Sequence, residues 1–277
     1  MFNAMTRAEI WLQDTLDKPL GIEDLANHIG YSSSQVRRQF RQSFHISPSA
    51  YREKRRLERA AVLLALTPLN IAQIAKRCGY YNHSSFSRAF QRRYQFSPRN
   101  FRLTLKTAFQ PPMLQHGFKT RIEKTADRQM LLMRLYKAPE HIKGLGDASH
   151  HNVQLACLQG RLRLSTTIIA LPDILANRVN ALNSDFFHSN RTDIGLYLAD
   201  TDNAKDIALP VRYRRVDIPT HYYASTSFDS LADLYEALTH TIMYLLHRKD
   251  ACHVSGHPPQ VLWKANHLEL RIPLIDY

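Results

Sequence analysis

Apolar positions fall at helical intervals in the first third of the chain and at alternating ones later. Ile22, Leu25, Ala26 and Ile29 stand at i, i+3, i+4 and i+7, the stripe that one face of a short helix buries. Ile71, Ile74 and Ala75 repeat the pattern. Both runs stop at a glycine, Gly30 and Gly79, and glycine accepts the left-handed backbone that closes a helix. Ser32 and Asn82 then stand where a side chain caps the next helix, and Gly21 and Asn70 hold matching places before the first helices. In the second helices Val36 and Phe40, then Phe86 and Phe90, face inward. The two copies are offset by 49 at Ala26/Ala75 and Gly30/Gly79. The offset is 50 at Arg38/Arg88, Phe40/Phe90, Ser47-Pro48/Ser97-Pro98 and Tyr51/Phe101, so one residue is inserted at Tyr80-Tyr81. Each copy predicts helix, tight turn, helix, the unit whose second helix can enter a DNA major groove.

Around these copies the chain predicts further helices. Residues 6–16 form the first, with Ile10, Trp11 and Leu16 inward. Ser49 to about Leu66 forms a long one, with Leu57, Ala60, Ala61 and Leu64 as its stripe and a charged first half, Arg52-Glu53-Lys54-Arg55-Arg56. At ~1.5 Å per residue it is about 25 Å long, enough to hold the motifs apart and fix their angle. Ser97-Pro98 opens a closing helix. Residues 109–126, with Pro111-Pro112 and Gly117, read as a linker or a first sheet edge.

The periodicity then changes. Residues 130–136, 194–198, 213–218 and 221–227 predict strands, and 260–264 with 268–274 a hairpin turning at Ala265-Asn266. Residues 172–182 predict a helix. Asp229 caps a longer one with Leu231, Leu234, Leu238, Ile242 and Leu245 on one face. Residues 145–171 give no clear period, and a helix ending near Leu162 is the expectation. The chain therefore divides into an all-α double helix-turn-helix domain, 1–108, a linker, 109–126, and an α+β antiparallel-sheet domain, 127–277.

Charge sharpens this division. Residues 1–110 hold 18 Lys+Arg against 7 Asp+Glu, and no acid occurs between Glu58 and Glu123, whereas the remainder is nearly balanced. The outward faces of the two second helices carry Ser33, Ser34, Arg37, Arg38 and Arg41 in one copy, and Asn82, His83, Ser84, Arg88, Gln91 and Arg92 in the other. Arg suits guanine O6/N7 and phosphate, Gln and Asn suit adenine. A solvated basic face is the plain alternative for one copy; two copies with matched arginines favour double-stranded DNA. These helices lack the broad apolar face that a membrane surface requires. No run of about eighteen apolar residues is present, and the first residues lack a signal-peptide core. Cys78, Cys157 and Cys252 are widely separated, fitting reduced buried thiols in a cytoplasmic, nucleoid-associated protein.

Residues 6–107 resemble the DNA-binding domain of the bacterial AraC/XylS transcription regulators. The resemblance rests on Leu25-Ala26, Gly30-Tyr31-Ser32, Arg38, Phe40, Tyr51, Arg55, Leu57, Ile71, Ile74-Ala75, Gly79-Tyr80, Phe86, Arg88-Ala89-Phe90, Ser97-Pro98 and Phe101-Arg102. It implies seven helices that read two successive major grooves on one DNA face. The implied base-contacting positions are Ser34, Arg37 and Arg38, then His83, Ser84 and Arg88. A close subgroup has Trp where this chain has Ser34, so its first half-site is not carried over. The second half resembles the GyrI-like effector-binding domain at 195–200, 216–224, the helix from Asp229 and 268–275, and the order of domains is that of Rob-type regulators. That resemblance implies a cleft for cationic or apolar small molecules, with a carboxylate on the penultimate strand. Here that strand, 259–264, has no acid. An empty cleft, a narrowed one, or one for a neutral or anionic ligand are the open readings.

Tyr197, Phe187, Tyr222, Tyr223 and Trp263 are the candidate ligand-lining set, with ordinary core packing as the alternative. Glu269 faces away from Leu268 and Leu270, toward either cleft or water. His150-His151 lacks a partner at metal-ligand spacing, the cysteines lack CxxC spacing, and no phosphate loop or nucleophile motif appears. The sequence thus points to a non-enzymatic regulator with no cofactor and no metal. Its expected partners are DNA, RNA polymerase and a small-molecule effector. A C-terminal domain used only for protein contacts, or an enzyme merely localised to DNA, are the alternatives.

Overall fold

In the computed structural model the described residues are 4–108, 117–136, 166–180, 191–198, 209, 212–248 and 253–275. The chain falls into two compact units, Met1–Gln110 and Pro111–Tyr277.

The first unit is a set of helices whose ends are written by local chemistry. They are α1 (Ala4–Asp14), α2 (Ile22–Ile29), α3 (Ser33–Phe44), α4 (Pro48–Leu66), α5 (Ile71–Arg77), α6 (His83–Tyr94) and α7 (Pro98–Ala108). Ser32 caps α3 by accepting from the Gln35 amide, and Asn82 caps α6 through the Ser85 amide at 2.7 Å. Such caps satisfy amides that have no partner inside the helix. Gly30 and Gly79 take φ of 77° and 75°. The exits of α3 and α6 are also left-handed, at His45 and Gln95, where no glycine marks the sequence.

Each copy builds its own core. Leu12 and Ala8 of α1, Leu25 and Ile29 of α2, Val36 and Phe40 of α3 and Tyr51 of α4 form one buried cluster. Phe40 meets Tyr51 edge-on at 5.4 Å, and the repeat-equivalent Phe90 meets Phe101 edge-on at 5.2 Å. α1 runs two residues earlier than its apolar pattern suggests. Trp11 and Leu16 are half-buried rather than core, Trp11 packing against the edge of that cluster.

Two arginines in the charged first half of α4 are buried, Arg52 and Arg55, each 8% exposed. Arg52 Nη1 donates to the Leu20 carbonyl and Nη2 to Thr15 Oγ1 at 3.1 Å. Arg56 Nε donates to the Leu16 carbonyl at 2.6 Å and Nη2 to Lys18 at 3.1 Å. The α1–α2 loop is therefore pinned by α4 through the loop's own carbonyls. The turn at Gly79 lies against the same loop, since a Cβ there would meet the Leu16 carbonyl oxygen at 2.5 Å.

The second unit is an antiparallel sheet with helices. Its elements are β1 (Thr120–Thr125), β2 (Arg128–Leu135), β3 (Thr166–Ala170), α8 (Ile174–Asn180), β4 (Thr192–Tyr197), β5 (Tyr213–Ile218), β6 (His221–Phe228), α9 (Leu234–His247), β7 (His253–Val254), β8 (Gln260–Trp263) and β9 (Leu268–Ile275). The strand order is β1-β6-β9-β8-β3-β4-β2-β5, with β7 on β9. The sheet curls on itself. β1 and β4 lie five places apart in that order, about 24 Å on a flat sheet, yet Thr125 Oγ1 and Tyr197 Oη share a hydrogen bond of 3.1 Å. The inner face holds Met130, Leu132, Ile168, Ala170, Ile218 and Leu262. α9 covers the outer face, where Thr226 bonds Thr241 at 2.7 Å.

Two open stretches take a definite form here, and one expectation is corrected. Residues 120–125, read as linker or first sheet edge, form edge strand β1, held to β6 by main-chain pairing. Residues 166–170, in the stretch without clear period, form β3, while the expected helix ending near Leu162 lies outside the described residues. Asp229 does not cap the long helix. Asp233 accepts from the Ser230 amide at 3.1 Å, a 3-10 turn spans Leu231–Asp233, and the half-buried Leu231 precedes the α-helical stripe.

Candidate nucleic-acid interface

The outward faces of α3 and α6 are built the same way. A side-chain cap fixes where each helix begins, and two aromatic or aliphatic anchors fix its roll. Val36 and Phe40, like Phe86 and Phe90, are fully buried. Ser34, Arg37, Arg38 and Arg41 are thereby exposed on α3, and His83, Ser84, Arg88, Gln91 and Arg92 on α6. Three of the expected contact residues have a second engagement. Asn82 spends its side-chain oxygen on the Ser85 amide. Ser33 is half-buried, with Oγ 3.4 Å from Glu23. Arg92 pairs with Glu53 of α4 at 3.0 Å, tying the second helix to the linking helix. Arg38 lines a shallow cleft with Ala4, Met5, Tyr31 and Gln42. Tyr81, next to the Asn82 cap, is 90% exposed and was not among the sequence candidates; the one-residue insertion at Tyr80-Tyr81 was the available signal.

With 18 cationic and 7 acidic residues in 1–110, this unit offers a surface that a polyanion neutralises. Cys78 is buried behind it, and burial pushes its thiol up to about 12. Among the described residues, no three His, Cys, Asp or Glu side chains gather as a metal site, and no helix is long and apolar enough to cross a membrane. His150, His151, Cys157 and Cys252 lie outside the described residues.

Residues 25–104 match a family model described as a helix-turn-helix domain. The regulatory protein SoxS of Escherichia coli is 37% identical over 92 residues, which cover 33% of this chain and 86% of SoxS. The chain belongs to the AraC/XylS family. Other AraC/XylS relatives share a smaller part of their length. The putative regulator YkgA of Escherichia coli is 37% identical over 106 residues, and the chain spans 44% of it. AlkR of Acinetobacter baylyi is 38% identical over 86 residues, and the chain spans 28% of it. A solved AraC-type regulator from Chromobacterium violaceum is 31% identical, with 39% of this chain and 95% of that chain covered, at a TM-score of 0.36.

In the second unit the expected aromatic set is divided. Strand register places Tyr197 and Tyr223 on the inner face, whereas Tyr222 and Trp263 lie on the outer one. The reason is the two-residue period of a strand: adjacent residues such as Tyr222 and Tyr223 point to opposite faces. Phe187 lies outside the described residues. Glu269 shares the inner face with Arg271 and is 13% exposed, so it faces the interior of the curl and not water. The same face carries a buried triad, in which Arg134 and Arg214 both pair with Asp193. Burial alone would raise the Asp193 carboxyl; the two guanidinium groups outweigh it and hold it below the usual carboxylate range.

Proposed function

We propose that this protein is a sequence-specific DNA-binding transcription regulator. α3 and α6 enter two successive major grooves, about 34 Å apart along the duplex. One chain then does the work of a helix-turn-helix dimer on a site without two-fold symmetry. The observation that carries this reading is the duplication itself: two capped helices, each rolled by two buried anchors, each presenting exposed arginines from a strongly basic unit. Ser34, Arg37 and Arg38, and His83, Ser84 and Arg88, are the proposed base readers; Arg41, Gln91 and Arg92 flank them. RNA polymerase is the proposed protein partner. The second unit is the regulatory part, with a GyrI-like sheet whose inner face carries Tyr197 and Tyr223.

Selection of bound sequences from random DNA by the whole protein at near-physiological salt tests the reading. The expected site has two short, different blocks about 10 base pairs apart, centre to centre. Arg38→Ala and Arg88→Ala should each cost roughly 1–3 kcal/mol and relax the preference in one block. Enrichment of no sequence, or full specific affinity in the double variant, refutes it.

A further inference from the structure

The inner face of the sheet holds a cation at its centre. The side chain of Arg271 on β9 is 11% exposed. Its guanidinium carbon lies 4.4 Å from the centroid of the Tyr223 ring on β6 and 5.4 Å from that of Tyr197 on β4. Its Nε donates to Glu269, two residues back on the same strand and face. Each ring is fixed by its hydroxyl. Tyr223 Oη donates to Glu123 of β1 at 2.9 Å, and Tyr197 Oη bonds Thr125 at 3.1 Å. Five side chains from four strands thus hold two aromatic faces and a carboxylate around one positive charge.

An ordinary buried ion pair needs only the Arg271–Glu269 contact. The two rings come from strands far apart in the sheet order and are each hydrogen-bonded into position. Ring faces are the negative pole of the aromatic quadrupole, and an aromatic cage is the arrangement by which proteins bind free organic cations. Burial disfavours the charge on Arg271; Glu269 and the tyrosines more than restore it.

We infer that Tyr197, Tyr223 and Glu269 form a cation cage whose occupant is the chain's own Arg271, so that a free guanidinium-type cation binds there only when that side chain is removed or displaced. The wild-type inner face is closed to such cations. This bears on the regulatory reading of the second unit but does not depend on DNA binding, and none of its tests uses DNA affinity.

The full-length Arg271→Ala protein is titrated with methylguanidinium at constant ionic strength, following heat and thermal midpoint. The expected result is saturable binding of one equivalent with a rising midpoint. Wild type should show neither, and Arg271→Ala combined with Glu269→Gln should lose at least tenfold in affinity. A folded Arg271→Ala protein that shows no saturable binding overturns the inference, as does wild type binding equally well. Phenylglyoxal labelling of native wild type, mapped by mass spectrometry, covers the case in which Arg271→Ala fails to fold. Arg271 should resist modification while Arg121, 71% exposed, reacts, and Glu269→Gln should speed labelling at Arg271. Equal labelling of Arg271 and Arg121 in wild type overturns the inference.

Discussion

Replacing Gly79 by alanine should damage the helical unit far more than the same change at Gly30, although the two glycines are repeat equivalents. Both are left-handed, at φ of 75° and 77°. That conformation costs a non-glycine residue about 1–2 kcal/mol, less about 0.4–1 kcal/mol returned by a stiffer unfolded chain. Gly30→Ala should therefore cost about 1 kcal/mol, because a Cβ there meets nothing within 4 Å. At Gly79 the added carbon falls 2.5 Å from the Leu16 carbonyl oxygen and 2.7 Å from Arg56 Nη2. The guanidinium tip can swing away, but the carbonyl is main chain. Moving it disturbs the 2.6 Å bond from Arg56 Nε to that same oxygen. Overpacking of this kind costs roughly 1–3 kcal/mol, and a weakened charged hydrogen bond about 1 kcal/mol more. The gap between the variants should be about 2–4 kcal/mol. For a domain near 100 residues that is a difference of about 8–20 °C in midpoint. Far-UV circular dichroism of the full chain during heating reads the helical transition. Equal losses in the two variants, within about 0.5 kcal/mol, would refute the argument that the second turn is pressed against the first motif's loop.

Asp193→Asn should cost about 3–5 kcal/mol, since it leaves Arg134 and Arg214 buried around an uncharged group. Because Asp193 titrates below the usual range when folded, its contribution is complete above about pH 4 and is lost as the pH falls through its folded value. Acid unfolding curves should accordingly be flatter for the variant than for wild type, and parallel curves would contradict this. Cys78, with its thiol pushed to about 12, should stay unmodified by iodoacetamide at pH 8 in the native protein and react once urea is added, as site-mapped mass spectrometry would show; rapid native alkylation at Cys78 would contradict its burial.

What the sequence disclosed was mostly local. The stripes at Ile22–Ile29 and Ile71–Ala75, the caps Ser32 and Asn82 and the stop glycines each act within one helical turn, so the helices of the first unit could be placed from residues alone. The left-handed exits at His45 and Gln95 had no glycine to announce them. The charged first half of α4 gave no hint of what its arginines hold, because their acceptors are loop carbonyls more than thirty residues away. In the second unit β1 was legible only as one of two readings, linker or first sheet edge, because Thr-Arg-Ile-Glu-Lys-Thr is too polar to show an apolar period; it is an edge strand sustained by pairing with β6. The division of the aromatic set was legible in part, since neighbours Tyr222 and Tyr223 cannot share a face. Which face turns inward was not, because the curl depends on strands brought together from across the unit. For the same reason the partner of Arg271 could be guessed from its neighbour Glu269, but the two rings could not.

The pinned loop between α1 and α2 has a consequence for the proposed reading of DNA. Arg52 and Arg56 hold that loop, and the turn leading into α6 lies against the same Leu16 carbonyl and the Arg56 guanidinium. The loop that leads into the first motif and the turn inside the second thus share one anchor, which ties the two motifs to one another. A reader of this kind acts as a ruler as well as a pair of probes. Adding or deleting one base pair between the blocks of its site turns the second block by about 35° around the duplex, one tenth of a helical turn. A rigid ruler cannot follow that turn, so on the proposed two-groove reading the bound sites should share one fixed spacing, even where the bases inside the blocks differ.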